Sequence, residues 1–132
     1  MSLAATKNVY GTFSNDTEWV QVIYDFDVDA GATGDYDVWT AKEDVVVLDF
    51  YYDVQAACTS AGSMVMDLGV ADGGTDFLSN TTVSTLNTIN TVNGMGTAAP
   101  VKVAADSAVV MSIDVATLTA GKIAFNFLVK KV

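Results

Sequence analysis

Apolar and polar side chains alternate along much of this chain with a period of two, the spacing of a β-strand that has one buried face. The segment from Val20 to Val28 is typical, because its even-numbered positions are apolar while Asp25, Asp27 and Asp29 occupy odd-numbered ones. The pattern predicts a strand whose carboxylates line the solvated face. The side chains expected to face the core are Val20, Val22, Tyr24, Phe26 and Val28.

The same alternation predicts further strands. Longer ones are expected at Tyr36–Thr40, Val45–Val54, Ser63–Val70, Ala108–Val115 and Gly121–Val132, and shorter ones at Val9–Phe13 and Val101–Val103. The side chains expected inside are Val46, Leu48, Phe50, Tyr52, Val54, Met64, Met66, Leu68, Val70, Val109, Met111, Ile113, Val115, Ile123, Phe125, Phe127 and Val129. Two strands also have apolar residues on the second face, which we expect another subunit to cover in part: Val45, Val47, Tyr51, Ala124 and Leu128.

Gly, Asp, Asn and Pro cluster between the predicted strands, as in "DGGTD" and "NGMGTAAP", and these clusters predict turns. The stretch "SNTTVSTLNTINTVNG" has a different period. Its Val83, Leu86, Ile89 and Val92 recur at every third residue, which is compatible with a short helix or with an ordered strap across the core. The Thr and Asn content of this stretch disfavours a long helix.

Seven or eight short strands with almost no helix predict an all-β fold, either a two-sheet antiparallel sandwich or a barrel. We expect the jelly-roll form of the sandwich, with a long mid-chain strap from about Asp72 to Pro100. A length of 132 residues favours one domain. We assign that domain to residues 19–132 and a short N-terminal arm to residues 1–18.

The chain is strongly acidic, since six lysines oppose sixteen Asp and Glu residues and the net charge is −10. Arg is absent and no basic stripe is visible, which disfavours nucleic-acid binding. No apolar run approaches the roughly 20 residues of a membrane-spanning helix. The start, "MSLAATKNVYG", lacks the continuous apolar segment of a secretory signal. We therefore expect synthesis in a cytoplasm and neither nucleic acid nor membrane as a partner.

Residue types that the chain lacks also limit its chemistry. His is absent, which excludes Ser-His pairs, Cys-His pairs and histidine zinc sites. The single Cys58 can form neither an internal disulfide nor a structural zinc knuckle. Asp49 and Asp53 could be proposed as a glycosidase pair, but paired carboxylates are common on solvated sheets and nothing completes such a site. We expect no catalytic residues and no cofactor, and hence no enzyme.

The acidic stretch "DFDVDAGATGDYD" resembles the opening of an EF-hand loop, which needs Gly at its sixth position and Glu at its twelfth. Those positions hold Ala30 and Tyr36. We therefore interpret the carboxylates as the solvated faces of two strands that flank a turn, and we predict no metal site. A calcium ion that bridges Asp29, Asp35 and Asp37 across this turn is the alternative that the sequence leaves open.

Two further features admit a binding role. In "LGVADGGTDFL", Asp72 and Asp76 flank two glycines whose backbone amides could form an anion nest, although a β-turn accounts for the same residues. Trp19 and Trp39 could stack against sugars. Their structural interpretation is that they close the ends of the sandwich or lie in a subunit interface, where Trp is enriched.

Three segments together carry a family resemblance: "VVVLDFYYDVQAA", "MVMDLGVADGGTDFLSNTTV" and the closing "LTAGKIAFNFLVKKV". They resemble the small jelly-roll proteins of tailed bacteriophages, which include capsid decoration (cement) proteins and related head-fibre and tail-spike tips. The resemblance covers roughly Trp19 to Val132. It rests on a buried strand, the pattern "LG-x-x-D-G-x-x-D-F-L", a polar strap and a terminal "T-A-G-K" strand.

This resemblance implies a homotrimer that lies outside a phage head at three-fold positions and reinforces the contacts between major capsid subunits. The expected partners are then further copies of this chain and the major capsid protein, and the expected location is the outer surface of the virion. The alternative is a receptor- or glycan-binding tip of a head fibre or tail spike. Residues 1–18 precede the resemblance, and their role as an arm that grips the capsid is an inference only.

Overall fold

The computed structural model describes residues 3, 5–7, 17–90, 92–94 and 100–132. These residues form ten strands: Ala5–Lys7 (β1), Thr17–Asp25 (β2), Gly34–Thr40 (β3), Val45–Ser60 (β4), Val65–Gly69 (β5), Leu78–Thr82 (β6), Val92–Gly94 (β7), Val101–Val103 (β8), Ala108–Asp114 (β9) and Leu118–Lys131 (β10). Two one-turn helices, Phe26–Asp29 (α1) and Val83–Leu86 (α2), follow β2 and β6. No helix among the described residues is long and apolar enough to span a membrane. The predicted strand Val9–Phe13 lies outside the described residues.

The strands form two antiparallel sheets. The six-stranded sheet has the order β1-β2-β10-β4-β7, with β8 also paired to β4, and the four-stranded sheet has the order β3-β9-β5-β6. From β2 to β5, and again from β8 to β10, each successive strand lies in the other sheet. This crossing order is that of a jelly roll. The predicted all-β sandwich of jelly-roll type is therefore confirmed.

Phe50 of β4 lies at the centre of the core between the sheets. Its ring centroid is 5.0 Å from that of Phe127 and 5.3 Å from that of Phe77, distances typical of favourable aromatic pairs. Phe127 belongs to the six-stranded sheet and Phe77 precedes β6 of the other, so this cluster connects the two layers. The following predicted core residues are buried: Val20, Val22, Tyr24, Phe50, Tyr52, Val54, Met64, Met66, Leu68, Val109, Met111, Ile113, Ile123, Phe125, Phe127 and Val129.

β4 changes its inward face part-way along its length. Val45 and Val47 are fully buried, whereas Leu48 is 37% exposed. From Phe50 onward the predicted alternation holds. The predictions that Val46 and Leu48 face inward, and that Val45 and Val47 face outward, are therefore wrong.

A β-bulge causes this reversal. Asp49 pairs with Leu128 of β10, but the following pair joins Val47 to Val129, so β4 contains one extra residue at Leu48. Because side chains alternate with a period of two, one inserted residue moves every position beyond it to the other face. The bulge thus lets both ends of a 16-residue strand bury valines and aromatic residues in one core.

Two predicted strands end earlier than expected. β2 ends at Asp25, whose carboxylate accepts a hydrogen bond from the backbone N–H two residues on and caps α1. Phe26 therefore lies only partly against the core, and Val28 is 62% exposed instead of facing inward. β9 ends at Asp114, and Val115 is 76% exposed with a φ of 71° in the turn that follows. The predicted inward positions of Val28 and Val115 are wrong because Val28 lies in the one-turn helix α1 and Val115 lies in the turn after β9.

The long mid-chain connection contains short elements of its own. Leu86 of α2 is fully buried and Val83 packs partly against the core, whereas Ile89 is 54% exposed. A single helical turn thus accounts for the three-residue period only in part. Val70, also predicted to face inward, packs partly against the core.

Part of the predicted N-terminal arm lies against the sheets. β1 pairs with β2, and Leu3 is buried and donates its backbone N–H to the carbonyl oxygen of Asp37 at 3.0 Å. The division into an arm at residues 1–18 and a domain at residues 19–132 remains a prediction.

The bulge can be tested with two substitutions on β4. Phe50→Ala removes the central ring of the core and should lower the free energy of unfolding by about 3–5 kcal/mol. Leu48→Ala, at a position that a regular strand would bury beside Phe50, should cost less than about 1 kcal/mol because Leu48 is 37% exposed. Urea unfolding followed by tryptophan fluorescence measures both values. Equal losses for the two variants would contradict the bulge.

Candidate interaction surface

The outer face of the six-stranded sheet presents two exposed aromatic residues. Trp19 on β2 is 42% exposed and Tyr51 on β4 is 36% exposed. Their rings meet edge to face across β10, with centroids 5.4 Å apart and planes at 71°. Leu128 of β10 is the direct partner of Trp19 and lies on the same face. Tyr51 and Leu128 thus face outward as predicted. The sequence did not distinguish Trp19 from Trp39, so it did not predict which tryptophan is exposed.

Apolar residues continue along this face toward α1. Ile23 of β2 is half-buried and is the direct partner of Ala124 of β10, which lies on the outer side of the sheet as predicted but is only 1% exposed. We call Trp19, Ile23, Tyr51, Ala124 and Leu128 the outer apolar patch. Between its two halves, Gln21 Nε2 donates a hydrogen bond to Asn126 Oδ1 at 3.0 Å. The patch therefore surrounds an amide pair that is already hydrogen-bonded.

The two sheets differ sharply in charge. Five of the six lysines lie in the strands of the six-stranded sheet together with four carboxylates, which leaves those strands with a formal charge of +1. The strands of the four-stranded sheet contain four carboxylates and no lysine, a formal charge of −4. The lysines are Lys7, Lys102, Lys122, Lys130 and Lys131, and the carboxylates of the first sheet are Glu18, Asp25, Asp49 and Asp53.

Charges of both signs surround the outer apolar patch. Lys102 and Lys130 both pair with Val46, so they flank one position of β4 at the end of the face near the C-terminus. Asp49 and Asp53 follow farther along β4, on either side of Tyr51 and on the same face. The pair proposed as a glycosidase site is therefore separated by an aromatic side chain, and Asp49 Oδ1 accepts a hydrogen bond from the Phe50 backbone N–H at 2.8 Å.

The outer face of the four-stranded sheet is covered in part by the β5–β6 loop. Ser112 Oγ donates a hydrogen bond to Asp35 Oδ1 at 2.6 Å and accepts one from the Gly73 backbone N–H at 3.0 Å. Asp67, in the neighbouring strand, accepts a hydrogen bond from the Asn80 backbone N–H at 2.7 Å. The two bonds of Ser112 hold the loop against a face whose strands carry only carboxylates as charged groups, and the bond of Asp67 joins β5 to β6.

The loop sequence "LGVADGGTDFL" has a structural explanation. A side chain at Gly69 would overlap the backbone of Gly74, so only glycine permits this close approach. Asp76 Oδ2 accepts a hydrogen bond from the Val70 backbone N–H at 3.0 Å, and the Gly74 N–H donates to the Ala71 carbonyl oxygen at 2.8 Å. The two glycine amides that an anion nest would need therefore have other partners, since the Gly74 N–H bonds within the turn and the Gly73 N–H bonds to Ser112 of β9. Asp72 is exposed and takes no part in these bonds.

The carboxylates of the acidic stretch are distributed differently from the prediction. Asp25 lies at the end of β2 as predicted, whereas Asp27 and Asp29 belong to α1 and do not line a strand face. Asp29 Oδ2 accepts a hydrogen bond from the Asp25 backbone N–H at 3.0 Å. Asp35 and Asp37 lie on β3 as expected. Among the described residues, no group of three or more His, Cys, Asp or Glu is placed to hold a metal ion. The absence of a metal site remains a prediction.

Trp39 is part of the core and not of a binding surface. It is 6% exposed, and its ring centroid lies 5.7 Å from that of Phe127. Its proposed role as a sugar platform is therefore wrong. Trp19 is the tryptophan that the fold leaves accessible.

Two buried tyrosines position the loop after α1. Tyr24 donates its hydroxyl to the Ala30 carbonyl oxygen at 2.6 Å, and Tyr36 donates to that of Ala32 at 2.7 Å. Burial, followed by the proximity of other acidic groups, raises the pKa of Tyr24 above the ordinary value of 10.0. Strand alternation predicted that the Tyr24 ring faces inward, but it gave no sign of either hydroxyl partner.

No family model matches this chain, and no curated protein matches its sequence. Solved structures do match its fold. A chain of the cyanophage Pam1 capsid asymmetric unit superposes with a TM-score of 0.66 at 16% identity, over 98% of this chain and 94% of that one. A chain of the Ralstonia phage GP4 capsid superposes with a TM-score of 0.66 at 12% identity, over 96% of this chain and 91% of that one. A chain of the acidic stable capsid of Helicobacter pylori bacteriophage KHP30 gives 0.54 at 13% identity, over 86% of each.

This protein shares its fold with chains of phage capsids. The resemblance to phage jelly-roll proteins that the sequence indicated is thus confirmed at the level of the fold. The similarity extends over almost the whole chain and almost the whole of the Pam1 and GP4 chains.

The bond between Ser112 and the loop can be tested by Ser112→Ala. This variant leaves the Gly73 N–H and Asp35 without their partner, so the free energy of unfolding should fall by about 1–3 kcal/mol. Hydrogen exchange at the Gly73 amide should accelerate as well. Ser79→Ala, at an exposed position of β6, is the matched control and should change neither quantity. Unchanged exchange at Gly73 would contradict the proposed hold on the loop.

The buried Tyr24 should make stability depend on alkaline pH. The folded protein retains the Tyr24 proton to higher pH than the unfolded chain does, so stability is fully present below the ordinary pKa of 10.0 and declines as pH rises above it. Tyr24→Phe should flatten this decline, and should cost about 1 kcal/mol at neutral pH because the bond to Ala30 is lost. Tyr51→Phe, on the exposed patch, should leave the decline intact. Urea unfolding at a series of pH values measures these effects.

Proposed function

We propose that this chain is a structural protein of a phage virion, a capsid decoration (cement) protein that binds the outer surface of the head as a homotrimer. In this role it stabilises contacts between major capsid subunits. The observation that carries the proposal is the fold shared with chains of three phage capsid structures over most of its length. The sequence resemblance to decoration proteins supports the finer assignment.

The chemistry of the surface supports a binding role over a catalytic one. The groups that the fold brings together on the outer face of the six-stranded sheet are an aromatic pair, a part-buried hydrogen-bonded amide pair and scattered carboxylates and lysines. The chain has no His, and its single Cys58 is buried, with burial raising the pKa of its thiol to about 11. A protein that acts by contact alone needs no activated nucleophile. We therefore propose that it is not an enzyme.

The acidic face suggests how the protein approaches a shell. The strands of the four-stranded sheet carry a formal charge of −4, within a chain of net charge −10. Such a surface is attracted to a basic region of the partner, and the attraction weakens as salt screens it. Three linked subunits raise the overall affinity of weak individual contacts without any new chemistry.

A glycan-binding tip of a fibre or spike is the second candidate. It is favoured by the exposed Trp19 and Tyr51 beside the amides of Gln21 and Asn126, since aromatic rings and amides are common in sugar sites. However, the two rings meet at 71° and form no common flat platform, and the second tryptophan is buried. The geometry thus favours a protein partner for this face.

Binding to shells tests the proposal directly. Purified expanded heads that lack this protein should take it up to a copy number that matches the three-fold positions of the shell, as measured by quantitative mass spectrometry. A version without residues 1–10 should bind less if the arm contributes, and binding should weaken as salt rises. A copy number in purified virions far below the number of three-fold positions would instead indicate an appendage and overturn the decoration role.

A further inference from the structure

We infer that the outer face of the six-stranded sheet, with the outer apolar patch at its centre, is the surface through which copies of this chain associate. The inference rests on the proposed homotrimer and goes beyond it by naming the contact surface and its chemistry. Three observations support it: the exposed aromatic pair, the satisfied polar centre and the charge balance of this face.

The aromatic pair has the properties of an interface anchor. Trp and Tyr are the residues most enriched among those that dominate binding energy at protein interfaces. Trp19 and Tyr51 already pack edge to face with each other, and Leu128 lies between them on β10. Little side-chain freedom is therefore lost when a partner covers them.

The polar centre of the patch can be buried at low cost. Asn126 is only 5% exposed, and its Oδ1 already accepts the hydrogen bond from Gln21. A partner that excludes water here leaves this pair intact, so the usual penalty for an unpaired buried polar group is reduced.

Charge identifies the partner as a second copy. Two molecules of net charge −10 repel each other, and contact through the four-stranded sheet would set −4 against −4. The strands of the six-stranded sheet are close to neutral, so neighbouring copies can contact each other through this sheet without this repulsion. A strongly basic partner would be matched instead by the acidic sheet.

Two different parts of the outer face are complementary to each other, as the contact between neighbours in a trimer requires. Lys130 lies at one end, beside Val46 and Lys102, whose Nζ is 3.9 Å from Asp44 Oδ2, while Asp49 and Asp53 lie farther along β4. A neighbouring copy that is rotated relative to the first can place its lysines near these carboxylates. Lys130 and Asp53 are therefore a suitable pair for a charge exchange.

The first test removes the anchor. Trp19→Ala should weaken self-association roughly thirtyfold, the loss typical of a dominant interface residue. Sedimentation equilibrium of the full chain gives the mass, which should be about three times 13.9 kDa for the wild type and should fall toward one chain for the variant. Val115→Ala is the matched control, because Val115 is 76% exposed and lies in the turn after β9 of the four-stranded sheet. Circular dichroism establishes that each variant is folded.

The second test exchanges charges. Lys130→Glu should weaken association because it makes the face acidic, and Lys130→Glu combined with Asp53→Lys should restore it because the balance returns. Thr40→Glu combined with Ser79→Glu is the control, because it changes the net charge as much as Lys130→Glu does, but at exposed positions of the four-stranded sheet. It should leave the mass of the assembly unchanged. Rescue by the second substitution would not be expected if Lys130 served only the stability of the subunit.

The outcomes separate this inference from the proposed function. A wild type that is monomeric at all concentrations yet binds shells overturns the inference and leaves the decoration role in place. Association that is unaffected by both Trp19→Ala and Lys130→Glu also overturns it. Association that depends on these residues, without uptake by shells, supports the inference and removes the decoration role. A monomer that loses oligosaccharide binding on Trp19→Ala would assign the patch to sugars and overturn the inference.

Discussion

The pairing of β4 with β10 is the constraint on which the rest of this structure depends. The two strands have 16 and 14 residues, and they run side by side through the middle of the six-stranded sheet. Their inner faces supply Phe50 and Phe127 to the core, and their outer faces supply Tyr51 and Leu128 to the patch. The bulge at Leu48 reconciles these demands, because it lets valines be buried before it and aromatic residues after it.

The four-stranded sheet is organised around a different requirement. Its outer face carries carboxylates, and the β5–β6 loop is held against it through Ser112, Asp35 and the Gly73 amide. The close approach of Gly69 to Gly74 explains why glycines recur in this loop. The pattern that carried the family resemblance is thus a packing pattern. Its glycines permit close contact, Asp76 accepts a hydrogen bond from the Val70 backbone N–H, and the Phe77 ring packs against Phe50 in the core. Its features are those of a fold and not of a reaction.

A jelly roll supports many functions, so the fold by itself leaves the role of this chain to its surfaces. The contrast between its two sheets is the most informative of these features. One sheet is nearly neutral and presents an aromatic pair, while the other is acidic, and this asymmetry gives the molecule two chemically distinct sides.

The sequence by itself determined the fold class and most of the core, because a period of two in side-chain polarity reports directly which face of a strand is buried. Strand alternation located β3, β5, β8, β9 and β10, and it predicted the burial of Phe125 and Phe127 correctly. The composition that limits catalysis was likewise known from the sequence alone. The strand positions and their buried faces are local properties, since each depends only on residues near one another in the chain.

Only the tertiary structure decided the rest, because those features depend on pairs that are distant in sequence. The reversal at Leu48 requires the register with β10, about eighty residues away, and no local pattern marks it. Trp19 and Trp39 look alike in sequence, yet the sheet order leaves one exposed beside Tyr51 and buries the other against Phe127. The separation of charge between the sheets likewise arises from strand order, which brings nearly all the lysines to one layer although they are spread along the chain.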